Sequence, residues 1–240
     1  MKKLLTAAAL LALTAGLAHA QTIRMGTEGA YPPYNFINDA GEVDGFEREL
    51  GDELCKRAEL TCEWVTNEWD SIIPNLVSGN YDTIIAGMSI TDERDKVIDF
   101  TQNYIPPAAS SYAALSADAD LTGGVVAAQT ATIQAGYVAE SGATLLEYPT
   151  PDETVAAVRN GEADAVFADK DFLAPIVAES GGELVWAGQD VQIGGGIGIG
   201  VRESDTELKE TFNKAIQSMK DDGSLNAMIK KWFGEDALVF

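Results

Sequence analysis

One histidine and two cysteines stand among 240 residues, and bases are scarce: 16 Lys and Arg against 38 Asp and Glu, a formal net charge of −22. So few His and Cys leave no set for a His/Cys metal site, and no metal or cofactor is expected. A polyanion of this size is ill suited to phosphate backbones or anionic lipid, which argues against a nucleic-acid partner. After residue 20, no stretch reaches the ~18 consecutive apolar residues of a membrane-spanning helix. What is present reads as globular. Hydrophobic residues at 46% and aromatics at 8% exclude wholesale disorder. The length suffices for one large domain or two small ones.

Residues 1–20 have the pattern of a cleavable secretory signal. Met1-Lys2-Lys3 is basic, Leu4–Leu17 is apolar but short for a span, and Ala18-His19-Ala20 is a small-x-small cleavage site. The expected mature chain begins at Gln21 and is exported. In an oxidising compartment Cys55 and Cys62, an even pair, are expected to form a disulfide that clamps a helix end to the next strand. The alternative is two buried free thiols.

Strand and helix patterns alternate, which predicts α/β layers with a mainly parallel sheet. In the first unit, Thr22–Gly26 and Cys62–Val65 read as strands. Phe46, Leu50, Leu54 and Ala58 mark a helix by their four-residue recurrence. Ile72–Val77 reads as a helix with Pro74 in its first turn, and Tyr81–Ala86 as a strand apolar on both faces. A second unit repeats the order: strand 125–129, helix 133–140, strand 145–148, a capping box at Thr150–Glu153 opening helix 154–159, and strand 163–168. Tyr104-Ile105-Pro106-Pro107 is an extended connector between the units. Gly196–Val201 reads as a strand, followed by helices at about 205–220 and 224–232. Residues 108–192 hold only Arg159 and Lys170 as bases against 13 acids, a field that attracts cationic small molecules.

Ligands of open α/β sheets bind beyond the carboxyl ends of the strands. The segments there hold Glu28 and Tyr31, then Trp69, then Gly87, Ser89 and Arg94, then Thr132, Ile133 and Gln134, then Asp169. This mixture suits a small zwitterion. A desolvated carboxylate needs a bidentate cation or a helix N-terminus, for which Arg94 and the amides around Thr132 are candidates. An ammonium needs a carboxylate plus neutral acceptors: Asp169, Ser89 and the Gly87 carbonyl. Tyr31 and Trp69 offer flat faces. Each has a plainer alternative: Arg94 paired with Asp92 or Asp95, Thr132 a helix cap, Trp69 and Tyr31 packing.

Several motifs together resemble the extracytoplasmic solute-binding proteins of ABC amino-acid importers, family 3, along Ile23–Phe233. They are Gly26-Thr-Glu-Gly-Ala-Tyr31-Pro-Pro-Tyr34, Gly45-Phe46-Glu47, Trp69–Leu76, Tyr81–Arg94, Gly161-Glu-Ala-Asp-Ala165 and Lys231-Trp232-Phe233. The Cys55–Cys62 spacing is similar to that of lysine/arginine/ornithine- and histidine-binding members. The resemblance implies a two-lobed type II binding-protein fold with two crossing hinge strands. Its lobes would comprise residues 21–106 with 193–240, and residues 107–192. It implies that Arg94 and the amides near Thr132 and Ile133 grip an α-carboxylate, with Gln134 near that end. Ser89, the Gly87 carbonyl and Asp169 would hold the α-ammonium. Tyr31 and Trp69 would stack on the side chain, and Glu28 would meet a distal cation. Arg, Lys, ornithine or His is the implied ligand, a glutamine-like solute the alternative. The implied protein is a periplasmic monomer that serves a membrane permease and is not an enzyme.

Three departures stand out: Ala131-Thr132-Ile133 where the family usually has Gly-Thr-Thr, Glu at 28 where Asp is commoner, and Pro106-Pro107 at the hinge. An enzyme on the same scaffold, similar to cyclohexadienyl dehydratase, would need a general acid such as Glu28 or Asp169. A receptor's sensor domain would be followed by a membrane span, and none follows Phe240.

Overall fold

The computed structural model describes residues 22–240, so the expected signal segment and its cleavage site lie outside the described residues. Two five-stranded sheets organise the chain. The first runs Cys62–Thr66, Ile23–Thr27, Thr83–Ile84, Ile197–Val201, Asp99–Ile105. The second runs Thr144–Tyr148, Val125–Gln129, Ala165–Asp169, Ala109–Ala114, Val185–Gln192. In each, the first three strands are mutually parallel and the last two pair antiparallel. The sequence pattern gives the parallel trio of each sheet, and the antiparallel pair carries the chain between lobes. One crossing leaves Ile105 and enters at Ala109; the other leaves Gln192 and returns at Ile197.

Helix Phe46–Arg57 buries Phe46, Leu50 and Leu54, and packs on the closing helices Thr206–Asp221 and Ser224–Phe233. Such a stripe removes each large side chain from water, worth about 1.5–3 kcal/mol apiece. The Cys55–Cys62 disulfide is formed, joining this helix near its end to the start of the next strand. Thr150 caps helix Pro151–Arg159 through the full capping box with Glu153, and Pro151 occupies its first turn. The helix therefore begins three residues earlier than the apolar pattern suggests.

Other elements depart from the sequence pattern. Only Thr83–Ile84 of the expected Tyr81–Ala86 strand pairs as strand, because the chain leaves the ladder for a left-handed turn at Gly87 (φ +61°). Helix Lys170–Glu179 follows Asp169 directly, where no helix was expected; Pro175 lies within it, but Phe172 and Leu173 are fully buried. A small three-stranded sheet, Ala30–Tyr31, Asn35–Ile37 and Val43–Asp44, carries Tyr31 to the cleft. Among the described residues no helix is long and apolar enough to cross a membrane.

Candidate functional site

A narrow, largely enclosed cavity lies between the lobes. From the first lobe it is lined by Glu28, Tyr31, Trp69, Ala86, Gly87, Ser89 and Arg94. From the second come Gln129, Thr132, Ile133, Gln134 and Asp169. All ten residues nominated from the sequence share this one space. Ala86 and Gln129 were missed. Gln129 is the last residue of its strand, and Ala86 immediately precedes the left-handed turn at Gly87.

Arg94 opens a short 3₁₀ turn, Arg94–Lys96. Its guanidinium donates to two backbone carbonyls, Ser89 O at 2.9 Å and, across the cleft, Ala131 O at 3.2 Å. It also lies over the Trp69 ring, 5.4 Å from the centroid. It forms no ion pair with Asp92 or Asp95 among the described residues, so the plain surface pairing does not occur. Burial lowers its pKa to about 10, with Asp169 opposing that shift, so it stays cationic at neutral pH. A buried cation whose partners are neutral oxygens has capacity for an anion.

Opposite stands Asp169. Its Oδ2 accepts from the Tyr31 hydroxyl at 2.8 Å, its Oδ1 from Gln134 Nε2 at 3.0 Å. Burial pushes its carboxyl up to about 6, although the Tyr31 bond, the Arg94 charge and the Gln134 bond all pull it down. Gln134 also donates to Ser110 Oγ at 3.0 Å, which fixes its amide. Gln134 thus bridges Ser110 and Asp169.

Thr132 is the N-cap of helix Ile133–Ser141, accepting from Ala135 N–H at 3.1 Å and donating to Gln129 O at 2.7 Å. Both reading and plainer alternative apply: the hydroxyl is spent on the cap, while the helix's first amides form an N-terminus at the cavity. Ala131 precedes it with φ +56°, a left-handed conformation unfavourable for a residue with a Cβ.

Glu28 is partly buried, and its Oε1 accepts from Gln129 Nε2 across the cleft at 2.6 Å. Gln129 is held in turn by Pro149 O at 3.0 Å. Burial pushes the Glu28 carboxyl up to about 7, with the Gln129 bond opposing. A ligand cation beside either acid would bring its pKa down.

Of the two aromatic platforms, Tyr31 already stacks on Phe172 of the second lobe, centroids 4.3 Å apart and planes 10° apart. One of its faces is therefore taken by protein. Trp69 is 8% exposed and belongs to a cluster with Ile72 and Leu76, so it is both core and cavity wall. Further cross-cleft contact comes from the Tyr34 hydroxyl to Asp171 Oδ2 at 3.4 Å.

The family model for bacterial extracellular solute-binding proteins, family 3, matches residues 23–235. A solved structure, a periplasmic His/Glu/Gln/Arg/opine family-binding protein from Silicibacter pomeroyi in complex with lysine, is 80% identical. It covers 91% of this chain and 100% of its own, with a TM-score of 0.90. The lysine/arginine/ornithine-binding periplasmic protein of Escherichia coli K12 is 31% identical over 97% of this chain and 97% of its own. The histidine-binding periplasmic protein of the same strain is 33% identical over 98% of each.

Proposed function

The chain belongs to the bacterial extracellular solute-binding proteins, family 3, and from that premise we propose that its solute is a basic L-amino acid, delivered to an ABC importer. The observation that carries this reading is the pairing of a guanidinium and a carboxylate from opposite lobes in one cavity: Arg94 from the first, Asp169 from the second. A zwitterion satisfies both at once. Arg94 and the amides at Thr132 and Ile133 take its carboxylate. Asp169, Ser89 and the Gly87 carbonyl take its ammonium. Trp69 and Tyr31 flank the side chain, and Glu28 takes the distal cation. The lysine complex of the relative from Silicibacter pomeroyi supports this charge assignment.

Capture is by hinge closure, the two lobes dividing near 106/107 and 192/193. A ligand shifts that equilibrium only by contacts it makes with both lobes. The reading is of a binding protein and not an enzyme, working as a monomer in the periplasm with permease subunits as its partners and no nucleic acid. Calorimetry against the common amino acids tests it. Micromolar or tighter binding of lysine, arginine, ornithine or histidine is expected, and failure of all of them to bind below millimolar would overturn it. Mass spectrometry of the small molecule released on denaturation identifies the natural ligand directly.

A further inference from the structure

The Gly45-Phe46-Glu47 motif lines no part of the cavity, yet it makes an unusual site. Gly45 (φ +115°) lets the helix start lie against the preceding loop; a Cβ there would sit 2.6 Å from Tyr34 O. Phe46 fills the core against Phe233. The Glu47 side chain is then carried into the interior, 0% exposed.

The other buried acid among the described residues, Asp82, is matched by Arg24 and Arg202. Glu47 forms no ion pair among the described residues and is held by three neutral donors. Oε1 accepts from the Gly87 N–H at 2.6 Å and from the Tyr104 hydroxyl; Oε2 accepts from Asn35 Nδ2 at 2.7 Å. Asn35 passes the connection on, its Oδ1 accepting from the Gly29 N–H at 2.7 Å. So one carboxylate ties together the turn at Gly87, the segment beside Glu28, and Tyr104 on the strand that leads into the first crossing. A buried carboxylate retained without a cation, and linked to so many parts of the site, implies a role beyond packing.

We propose that Glu47 is a positioning residue for the ligand: by anchoring the Gly87 amide it fixes the Gly87–Ser89 backbone that receives the α-ammonium. Glutamine in its place puts an amide nitrogen where one of the two carboxylate oxygens accepts, so either Asn35 Nδ2 or the Gly87 N–H with the Tyr104 hydroxyl loses its acceptor, and the clamp on the Gly87 turn is weakened. This inference rests on the amino-acid reading above and deepens it.

The test compares an amino acid with its analogue lacking the α-amine: L-lysine with 6-aminohexanoate, and L-arginine with 5-guanidinopentanoate, by calorimetry. Glu47→Gln should weaken the parent amino acid at least tenfold and the analogue less than threefold. Tyr104→Phe, which removes one donor and leaves the carboxylate in place, should give the same asymmetry in smaller measure; it serves if Glu47→Gln does not fold. Equal losses for parent and analogue, or unchanged affinities in whichever variants fold, overturn the inference while leaving the amino-acid reading intact. If the unmutated chain binds neither lysine nor arginine, that reading falls and this inference with it.

Discussion

The Tyr31 hydroxyl, on the first lobe, donates to Asp169 Oδ2 on the second at 2.8 Å, and the Asp169 N–H donates back to the Tyr31 oxygen at 3.3 Å. The carboxylate assigned to the ligand's amine is thus also a lobe-to-lobe contact. Closure and recognition draw on the same side chain, so a ligand that pairs with Asp169 gains from an arrangement the protein itself already favours.

Arg94→Ala should abolish binding. A ligand carboxylate left unpaired in the cavity costs about 3–5 kcal/mol, a loss of two to three orders of magnitude or more. Calorimetry measures it, and micromolar affinity retained in this variant would refute the role given to Arg94.

Glu28→Gln should weaken lysine or arginine far more than a neutral amino acid such as glutamine, because it removes a charge and keeps the shape. Equal losses would show that Glu28 does not read the side chain.

Acidity should act in opposite directions on stability and on affinity. Glu28 (about 7) and Asp169 (about 6) titrate above the ordinary carboxylate range. The folded chain therefore holds more protons than the unfolded chain at pH 5–7, and these groups' contribution to stability falls as pH rises through that window. The melting temperature without ligand should drop by a few degrees between pH 5 and 8, and less so in Glu28→Gln. A cationic ligand needs the ionised acids, so its affinity should instead rise over the same window, by up to about tenfold per pH unit per group, with release of protons. Calorimetry in buffers of differing ionisation enthalpy detects that release; proton uptake on binding would contradict the assignment.

Ala131→Gly should stabilise the protein by about 1 kcal/mol, since glycine adopts the left-handed φ of +56° without the Cβ penalty. A melting-temperature rise of roughly 2–4 °C is expected for a chain of this size.

Much of this site was legible because strand ends in α/β sheets converge, so residues at 28, 69, 94, 132 and 169 could be gathered without knowing their contacts. Sequence alone could not choose between Arg94 on a surface ion pair and Arg94 in the cleft; that depends on Ser89 O and on Ala131 O, the latter from the other lobe. Pro175 obscured the helix that follows Asp169, although Phe172, Leu173, Ile176 and Val177 form a helical stripe around it. Glu47 was placed by its motif but not by its chemistry. Its partners lie 12, 40 and 57 residues away, and no local period announces an acid turned inward.

The second lobe begins and ends at two short crossings, residues 106–108 and 193–196, so it is spliced whole into the first. The residues proposed to grip the two ends of a zwitterion are shared unevenly across that splice: Glu28, Trp69, Ser89 and Arg94 belong to the host, Thr132, Ile133 and Asp169 to the guest. Exchanging the guest between relatives at those two joints would transplant half of a binding preference in a single step, leaving the side-chain-reading acid with the host.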